Sequence, residues 1–386
     1  MRRPSALALP LLALLLVAAP SFADDSGSFI VRLGRDTTGF ERYTRTPSQV
    51  VVEHVGLAPR VLQRRFTYDY LRGQIAGVAM VVTRPGSDTP TQTLEGSFGP
   101  DSARVRIQSA NAPVQNLVLV VPRDAVVIAG SSPWVGYEDL LMRFVKQGGD
   151  SLRSTLYMLG GNATSWVTAR RLGRDSIAIT NGRNERYHVR ADAQGRILGI
   201  ASIVGTGRYS VERVAGLDLP VLTAGFALRE QAGAGVGTLS PRDSVVIIAG
   251  GASLWIDYGR PGKRGRAIFG DVVPYGQVWR TGANAATQFR TDKALDFGGT
   301  VVPAGFYTLW AVPTPGGWTL RFNGETGQWG TAHKPDRDLH VVAMMVASLP
   351  DPVERFRISV EPSPKGGVLH MEWDTTRASV AFIVAP

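Results

Sequence analysis

The chain has 386 residues, of which 42 are Lys or Arg and 32 are Asp or Glu, so its formal net charge is +10. Hydrophobic residues make up 44% of the chain, which excludes a disordered protein and is enough for two hydrophobic cores. The chain has no cysteine, which excludes disulfides, thiolate zinc sites, iron–sulfur clusters and a cysteine nucleophile.

The N-terminus has the pattern of a secretory signal peptide. Arg2 and Arg3 form a basic start, residues 6–19 are apolar, and Ser21-Phe22-Ala23 offers small residues at the cleavage positions. The apolar run is too short for a membrane span, and no later stretch is long and apolar enough for a transmembrane span. We therefore expect a signal peptide at residues 1–23 and a mature protein that is periplasmic or secreted.

Residues 24–214 read as successive short strands with alternating apolar and polar side chains, separated by turns rich in Gly, Pro and Asp. One helix is predicted at residues 134–147, which place Leu140, Leu141 and Phe144 on one face and end at a Gly-Gly pair. Many sequential strands and one helix indicate a curved antiparallel sheet or half-barrel with the helix on its open face.

Most of the basic excess lies in this first domain, and nearly all of it is arginine. One interpretation is an anionic partner, such as an envelope lipid or a polyanion. The other is ordinary surface charge, which the scattered positions of the arginines favour. No nucleic-acid-binding motif is present, so we expect no nucleic-acid partner.

Residues 215–238 are rich in glycine and show no clear periodicity, so they are predicted to link two domains. The remaining residues, 239–386, contain eight or nine short strand patterns with turn signals between them. This pattern predicts a second β domain, a β-sandwich or jelly roll.

Three segments of this second domain carry a specific pattern: YGRPGKRGRAIFG, VPYGQVWRTGANAATQF and VPAGFYTLWAVP, followed by W…FN and QWG. In these segments the chain resembles a bacterial family called domain of unknown function 2911, over residues 240–386. The resemblance implies an exported β-rich domain with no assigned activity. His340 departs from the family pattern, in which a basic Arg is more common.

Arginines and flat aromatic residues meet in these loops. Arg260, Arg264, Arg266 and Arg280 lie on two loops a dozen residues apart, and a guanidinium suits carboxylate, phosphate or sulfate. We expect the guanidinium groups of Arg260 and Arg280 to share one cleft that binds a small anionic or carbohydrate-like ligand. The candidate ligand-binding residues are Arg260, Arg266, Trp279, Arg280, Asn284 and Trp329. The alternative is that the Trp residues fill the core and the Arg residues form ion pairs.

A second polar group is formed by His333, Asp338 and His340, with Asp336 nearby. These side chains are potential metal ligands, but no zinc-binding motif accompanies them, so no metal and no cofactor is predicted. Two functions stay open. One is a non-catalytic envelope protein whose second domain binds a ligand. The other is a hydrolase or other enzyme that uses the Arg/Trp/Asn loops, although no Gly-x-Ser-x-Gly motif is present.

Overall fold

The structure, a computed structural model, describes residues 25–129, 133–183 and 185–386. The described part is mainly β, as predicted, and consists of two large sheets with few helices. The predicted signal peptide lies outside the described residues. No helix among the described residues is long and apolar enough to span a bilayer.

Fifteen strands form the first sheet. In chain order they are β1 (Asp25–Leu33), β2 (Asp36–Arg45), β3 (Gln49–Gly56), β4 (Leu62–Leu71), β5 (Gln74–Thr83), β6 (Gln92–Phe98), β7 (Ser102–Ser109), β8 (Gln115–Val120), β9 (Val126–Ile128), β10 (Ser151–Met158), β11 (Thr164–Arg171), β12 (Ser176–Asn181), β13 (Arg186–Ala191), β14 (Ile197–Ser202) and β15 (Tyr209–Val214).

The order of these strands explains the half-barrel shape. The first and last strands, β1 and β15, pair antiparallel at the middle of the sheet, with Phe29 opposite Arg213. Strands β2 to β8 follow on one side and strands β14 to β9 on the other. Among the described residues the two edge strands, β8 and β9, do not pair with each other, so the sheet curves without closing into a barrel.

Helix α1 (Gly136–Gln147) packs on the inner face of the half-barrel, close to the predicted position. Its buried face contains Leu140, Leu141 and Phe144, which join the inward side chains of both halves of the sheet in one core. The helix ends at Gly148, whose φ of 72° is a conformation that glycine adopts without strain.

Two buried carboxylates hold the start of this helix in place. The carboxylate of Glu41 on β2 accepts hydrogen bonds from the backbone N–H groups of Trp134 (2.8 Å) and Val135 (2.9 Å). Glu138 in the first turn is fully buried and forms an ion pair with Arg213 of β15 (2.6 Å). Burial outweighs the two donors at Glu41 and raises the pKa of its carboxyl to about 7.

The segment between the two domains contains a second helix, α2 (Leu219–Gln231), where the sequence predicted only a glycine-rich linker. Asp218 caps its N-terminus by accepting a hydrogen bond from the N–H of Val221. The apolar side chains of α2 are not confined to one face, so no helical periodicity marks it. Leu219 and Phe226 nevertheless pack on Phe40, on the outer face of the half-barrel.

Nine strands form the second sheet, and its order is β16-β17-β18-β21-β22-β23-β24-β19-β20. The strands are β16 (Arg242–Ala249), β17 (Ala252–Gly259), β18 (Thr287–Thr291), β19 (Leu295–Asp296), β20 (Val301–Val302), β21 (Gly305–Thr314), β22 (Gly317–Asn323), β23 (Asp338–Ser363) and β24 (Gly366–Val384).

The predicted sandwich architecture of this domain is confirmed. Strand β23 is long enough to run through both layers of the sandwich. Its first residues pair with β22, and the rest of the strand pairs with β24 in one extended hairpin. A dense aromatic core fills the interior, and Trp279, Trp318, Trp373 and Phe356 contact one another there.

The half-barrel and the sandwich contact each other through the arginine-rich loop at residues 260–266. The guanidinium of Arg264 pairs with Asp36 at the β1–β2 turn, and the carbonyl of Arg264 accepts a hydrogen bond from the N–H of Arg35 (3.0 Å). The N–H of Arg264 donates to the carboxylate of Glu354 in the sandwich (2.9 Å). The loop therefore joins the two domains.

The raised pKa of Glu41 makes the stability of the half-barrel depend on pH. The folded state keeps a proton that the unfolded chain releases between about pH 4.5 and pH 7, so the free energy of unfolding falls as pH rises through that window. Glu41→Gln cannot ionise, and we expect it to flatten this slope by up to about 1.4 kcal/mol per pH unit. Urea denaturation at several pH values measures the effect.

Glu95→Gln is the matched control, since Glu95 is an exposed carboxyl on β6 of the same sheet. It should leave the slope unchanged. If Glu41→Gln has the same slope as the wild type, the raised pKa of Glu41 is contradicted.

Candidate functional site

A cavity of about 450 Å³ lies between the half-barrel and the sandwich, and we call it the interdomain cavity. The half-barrel contributes Trp134, Arg183, Glu185, Tyr187 and part of the segment 202–209, and the chain just before β16 contributes Thr238, Leu239 and Ser240. The sandwich contributes Pro261, Gly262, Arg266, Arg280, Asn284, Trp329 and Thr331. Four of the six predicted ligand-binding residues therefore line one cavity, and that cavity also needs the first domain.

The loop that carries Arg280 is fixed on strand β21. The backbone of Trp279 exchanges two hydrogen bonds of 2.8 Å with Ala311, and the hydroxyl of Thr281 donates to the carbonyl of Leu309 (3.1 Å). Thr281 has a φ of 47°, a conformation that costs free energy in a residue other than glycine and needs support from its surroundings. These contacts set the direction in which Arg280 leaves the loop.

The side chain of Arg280 is only 8% exposed, and it occupies a slot between two glycines. A methyl group at Gly330 would overlap Cδ of Arg280 and would lie 2.7 Å from its Nη1, while one at Gly205 of the half-barrel would lie 3.3 Å from Nη2. Larger residues at these two positions would crowd the guanidinium. The slot is therefore made by both domains.

None of the described residues supplies a counter-charge for this guanidinium. Its Nε has no hydrogen-bond partner among the described residues, and no acidic side chain among them forms an ion pair with it. Burial alone lowers the pKa of Arg280 to about 10, which still leaves it charged at neutral pH. The arrangement presents a desolvated cation at the wall of a cavity.

Arg266 lines the same cavity but is occupied by backbone carbonyls. Its Nε donates to Lys263 (3.0 Å), its Nη2 to Gly262 (2.5 Å), and its Nη1 to Thr206 of the half-barrel (2.7 Å). Burial, and then the neighbouring Arg264, lower its pKa. Arg266 therefore holds the two walls of the cavity together and adds positive charge to it.

The half-barrel side of the cavity carries one carboxylate and two buried aromatic rings. Glu185 accepts hydrogen bonds from Asn181 (2.8 Å) and from the hydroxyl of Tyr187 (3.0 Å). Burial, and then the electrostatic effects of Tyr137 and Glu185, raise the pKa of Tyr187 well above its usual range. The hydroxyl of Tyr187 therefore stays protonated and donates its hydrogen bond. The indole Nε1 of Trp134 has no hydrogen-bond partner among the described residues.

Arginines outnumber acids around the cavity. Its charged lining residues within the described chain are Arg183, Arg266, Arg280 and Glu185. Asn284, at a φ of 65°, and Trp329, with 52% of its surface exposed, complete the sandwich side. The carbonyl of Asn284 accepts a hydrogen bond from the N–H of Gly330 (3.0 Å), which keeps the two segments adjacent.

Arg260 and Trp279 do not line the cavity. Arg260 pairs with Asp243 on the neighbouring strand (2.9 Å) and donates to the carbonyl of Phe356 (3.2 Å), so the expected shared cleft for Arg260 and Arg280 is not found. Trp279 is 7% exposed and donates its indole N–H to the carbonyl of Gly282 (3.1 Å) within the aromatic core. For these two residues, the structure matches the alternative of ion pairs and core packing.

His333 and Asp338 are in contact, but away from the interdomain cavity. The Nε2 of His333 lies 2.9 Å from the carboxylate of Asp338, which also accepts hydrogen bonds from Asn323 (2.8 Å) and Arg321 (3.0 Å). Burial opposes ionisation of Asp338, but these hydrogen bonds outweigh it and lower its pKa. His340 is not part of this network and faces the ring of Tyr307. The described residues contain no group of three or more His, Cys, Asp or Glu that could hold a metal ion.

Comparison with known proteins gives a family for the second domain. Residues 240–382 match the family model described as "Protein of unknown function (DUF2911)". This match confirms the resemblance predicted from the loop motifs, and it includes all six candidate ligand-binding residues. No curated protein matches the chain significantly.

Two solved structures have some similarity to the chain. One is a β-barrel-like protein of domain of unknown function DUF1849 from Brucella abortus, with 11% identity over 50% of this chain and 95% of that chain, and a TM-score of 0.35. The other is a double mutant of the vaccine antigen transferrin binding protein B from Haemophilus parasuis Hp5, with 8% identity over 94% of this chain and 76% of that chain, and a TM-score of 0.15.

The residues that sequence reasoning missed lie on the half-barrel. Trp134, Arg183, Glu185 and Tyr187 are spread over more than fifty residues, and no local motif connects them. The one signal was the turn at 204–208, VGTGR, where Gly205 allows the backbone to approach Arg280 of the sandwich closely.

The slot for Arg280 predicts a strong effect at Gly330. Gly330→Ala places a methyl group on Arg280 and close to the carbonyl of Asn284, and we expect it to lower the free energy of unfolding by about 1–3 kcal/mol. Gly316→Ala is the control, because the added methyl group at that turn meets open space. Chemical denaturation of both variants measures the difference, and equal stabilities would contradict the slot.

Proposed function

We propose that the protein binds a small anionic ligand in the interdomain cavity, with Arg280 as the group that holds its charge. The observation that carries this proposal is the buried guanidinium, which pairs with no acidic side chain in the part of the chain that the structure describes. Removing a charge from water without a partner costs several kcal/mol, and an oxyanion bound at Arg280 offsets that cost. A guanidinium fits two oxygens of a carboxylate, phosphate or sulfate at once.

The rest of the lining supports a ligand that is more than a bare ion. The exposed indole of Trp329 is a flat apolar surface on which a sugar ring or another planar group can stack. The carboxamide of Asn284 adds a donor and an acceptor on the same side. A sugar acid or another small carboxylated or phosphorylated metabolite combines these features.

The enzyme alternative requires a group that accepts or donates a proton beside Arg280. Glu185 is the one carboxylate among the described lining residues, and Asn181 and Tyr187 already hold its oxygen. A hydrolase would need Glu185 to act as a base from this hydrogen-bonded position. Arg280 instead supports binding directly, so we propose a binding protein.

We also propose that the protein is exported and acts in the periplasm or outside the cell. The basic start, the apolar run and the small residues at positions 21–23 support export. An envelope lipid or polyanion at the basic first domain is a further partner consistent with that location.

Arg280→Met tests the binding proposal, because it keeps the aliphatic packing and removes the charge. Without ligand, we expect this variant to be at least as stable as the wild type, since an unpaired buried charge is gone. In a thermal-shift screen of carboxylates, phosphates, sulfate, sugar acids and neutral sugars, the wild type should be stabilised by an acidic compound and the variant should not.

Arg290→Met is the matched control, since Arg290 is exposed on β18 of the same domain and lies outside the cavity. It should keep the ligand-induced shift of the wild type. Equal shifts in wild type and Arg280→Met would show that the anion binds elsewhere, and stabilisation by neutral sugars alone would also count against the proposal.

Export predicts a cleaved N-terminus. When the full chain is expressed in a Gram-negative host, the periplasmic or secreted fraction should contain a protein that begins at Asp24, as read by N-terminal sequencing. Ala23→Leu, which puts a bulky residue at the cleavage site, should make the uncleaved chain accumulate. An uncleaved wild-type chain found only in the cytoplasm would refute export.

A further inference from the structure

A second cavity lies directly against the first. It encloses about 330 Å³ inside the half-barrel, and we call it the inner cavity. Ala58, Trp134, Tyr209 and Leu239 line both cavities, so the two cavities adjoin at these four residues. The proposed function uses only the interdomain cavity, and the role of the inner one is therefore open.

The inner cavity carries its own guanidinium on the inner face of the sheet. His54 on β3 is paired in register with Arg64 on β4, and cross-strand partners point to the same face. His54 is buried and lines the inner cavity. Arg64 is therefore directed to the interior of the half-barrel, whereas its neighbour Arg65 is exposed on the opposite face.

Arg64 has no carboxylate partner among the described residues. Its Nη1 lies 3.5 Å from the Nδ1 of His54, and burial alone lowers its pKa. Burial, and then the charge of Arg64, lower the pKa of His54 to about 3, so the histidine is neutral and adds no second charge. The described residues that line this cavity include no Asp or Glu.

Glycines make room for these two side chains, as they do for Arg280. A methyl group at Gly56 would lie 2.7 Å from Nη1 of Arg64, and one at Gly39 would lie 3.4 Å from Nε2 of His54. Phe66 and Met80 supply apolar walls beside them. The inner cavity thus repeats the chemistry of the interdomain cavity: a cation without a counter-charge, apolar walls and a clearance made by glycine.

We propose that the two cavities form one site for an elongated ligand with an oxyanion group at each end, one held by Arg280 and the other by Arg64, with a less polar middle section against Trp134. This inference rests on the proposed function, because it assigns one end of the ligand to Arg280. It extends that function by naming the ligand class, a linear dianion such as a dicarboxylate or a bisphosphate.

Other occupants suit the two cavities less well. A single hydrocarbon tail in the inner cavity would cover Arg64 and His54 without giving either a partner, which is costly. Two separate anions would each lose their own translational freedom on binding. When both groups belong to one molecule, the second end binds from a high effective concentration, and the affinity gain depends on the length of the connecting chain.

The test compares linear dicarboxylates, from succinate to hexadecanedioate, with monocarboxylates of the same length by isothermal titration calorimetry. The full-length mature chain should show an optimum length at which the dicarboxylate binds at least about tenfold more tightly than the monocarboxylate. A parallel series of alkane bisphosphates distinguishes phosphate from carboxylate ends. If neither series shows an advantage of the second acidic group at any length, the inference is refuted.

Arg64→Met should reduce the affinity for the best dianion to that of the matched monoanion, and it should leave monoanion binding unchanged. Arg65→Met is the matched control and should bind as the wild type does. Arg280→Met should weaken both ligand classes. Monoanion binding that depends on Arg280 but not on Arg64, with no gain for dianions, would refute the two-ended ligand and keep the proposed function. No dependence on Arg280 would refute the proposed function itself.

Discussion

The arrangement of the site depends on one electrostatic constraint, the burial of the Arg280 guanidinium with no acidic partner among the residues of the described ranges. Arginine cannot shed its proton at physiological pH, so a protein cannot neutralise it as it can a buried histidine or carboxyl. The cation must therefore be stabilised by dipoles, by water in the cavity or by a bound anion. Such a group at the wall of a cavity makes the unbound protein less stable than the protein with an anion bound there.

The same residue type has three different roles within one short region, and the neighbours decide which. Arg260 and Arg264 each have a carboxylate opposite, Asp243 and Asp36, and act as ion-pair partners. Arg266 donates its hydrogen bonds to backbone carbonyls of both domains and so fixes their backbone. Arg280 has neither, and it is left with unused hydrogen-bonding capacity. Composition and spacing cannot distinguish these roles, because each depends on a residue far away in the chain.

The sequence predicted the elements better than the site. Alternating patterns and turn residues were sufficient for a half-barrel with a helix close to residues 136–147 and for a sandwich after residue 239, because those signals are local. Helix α2 was missed, since its apolar residues follow no single face and its packing partner Phe40 is remote. Arg280, Asn284 and Trp329 were found through their loops. Arg64 and His54 were not, because only strand pairing brings them together.

The location of the two uncompensated cations has a structural consequence. Arg280 belongs to the sandwich and Arg64 to the half-barrel, and Trp134 lies between the two cavities. The domains contact each other through the loop at residues 260–266, which places the two cavities, and with them the two guanidiniums, side by side. A ligand that reaches both cations would therefore bind to a preorganised site, where little of the interaction is lost in ordering the protein. In such a site the distance between the charges selects the length of the ligand, and the apolar walls between them select what joins its ends.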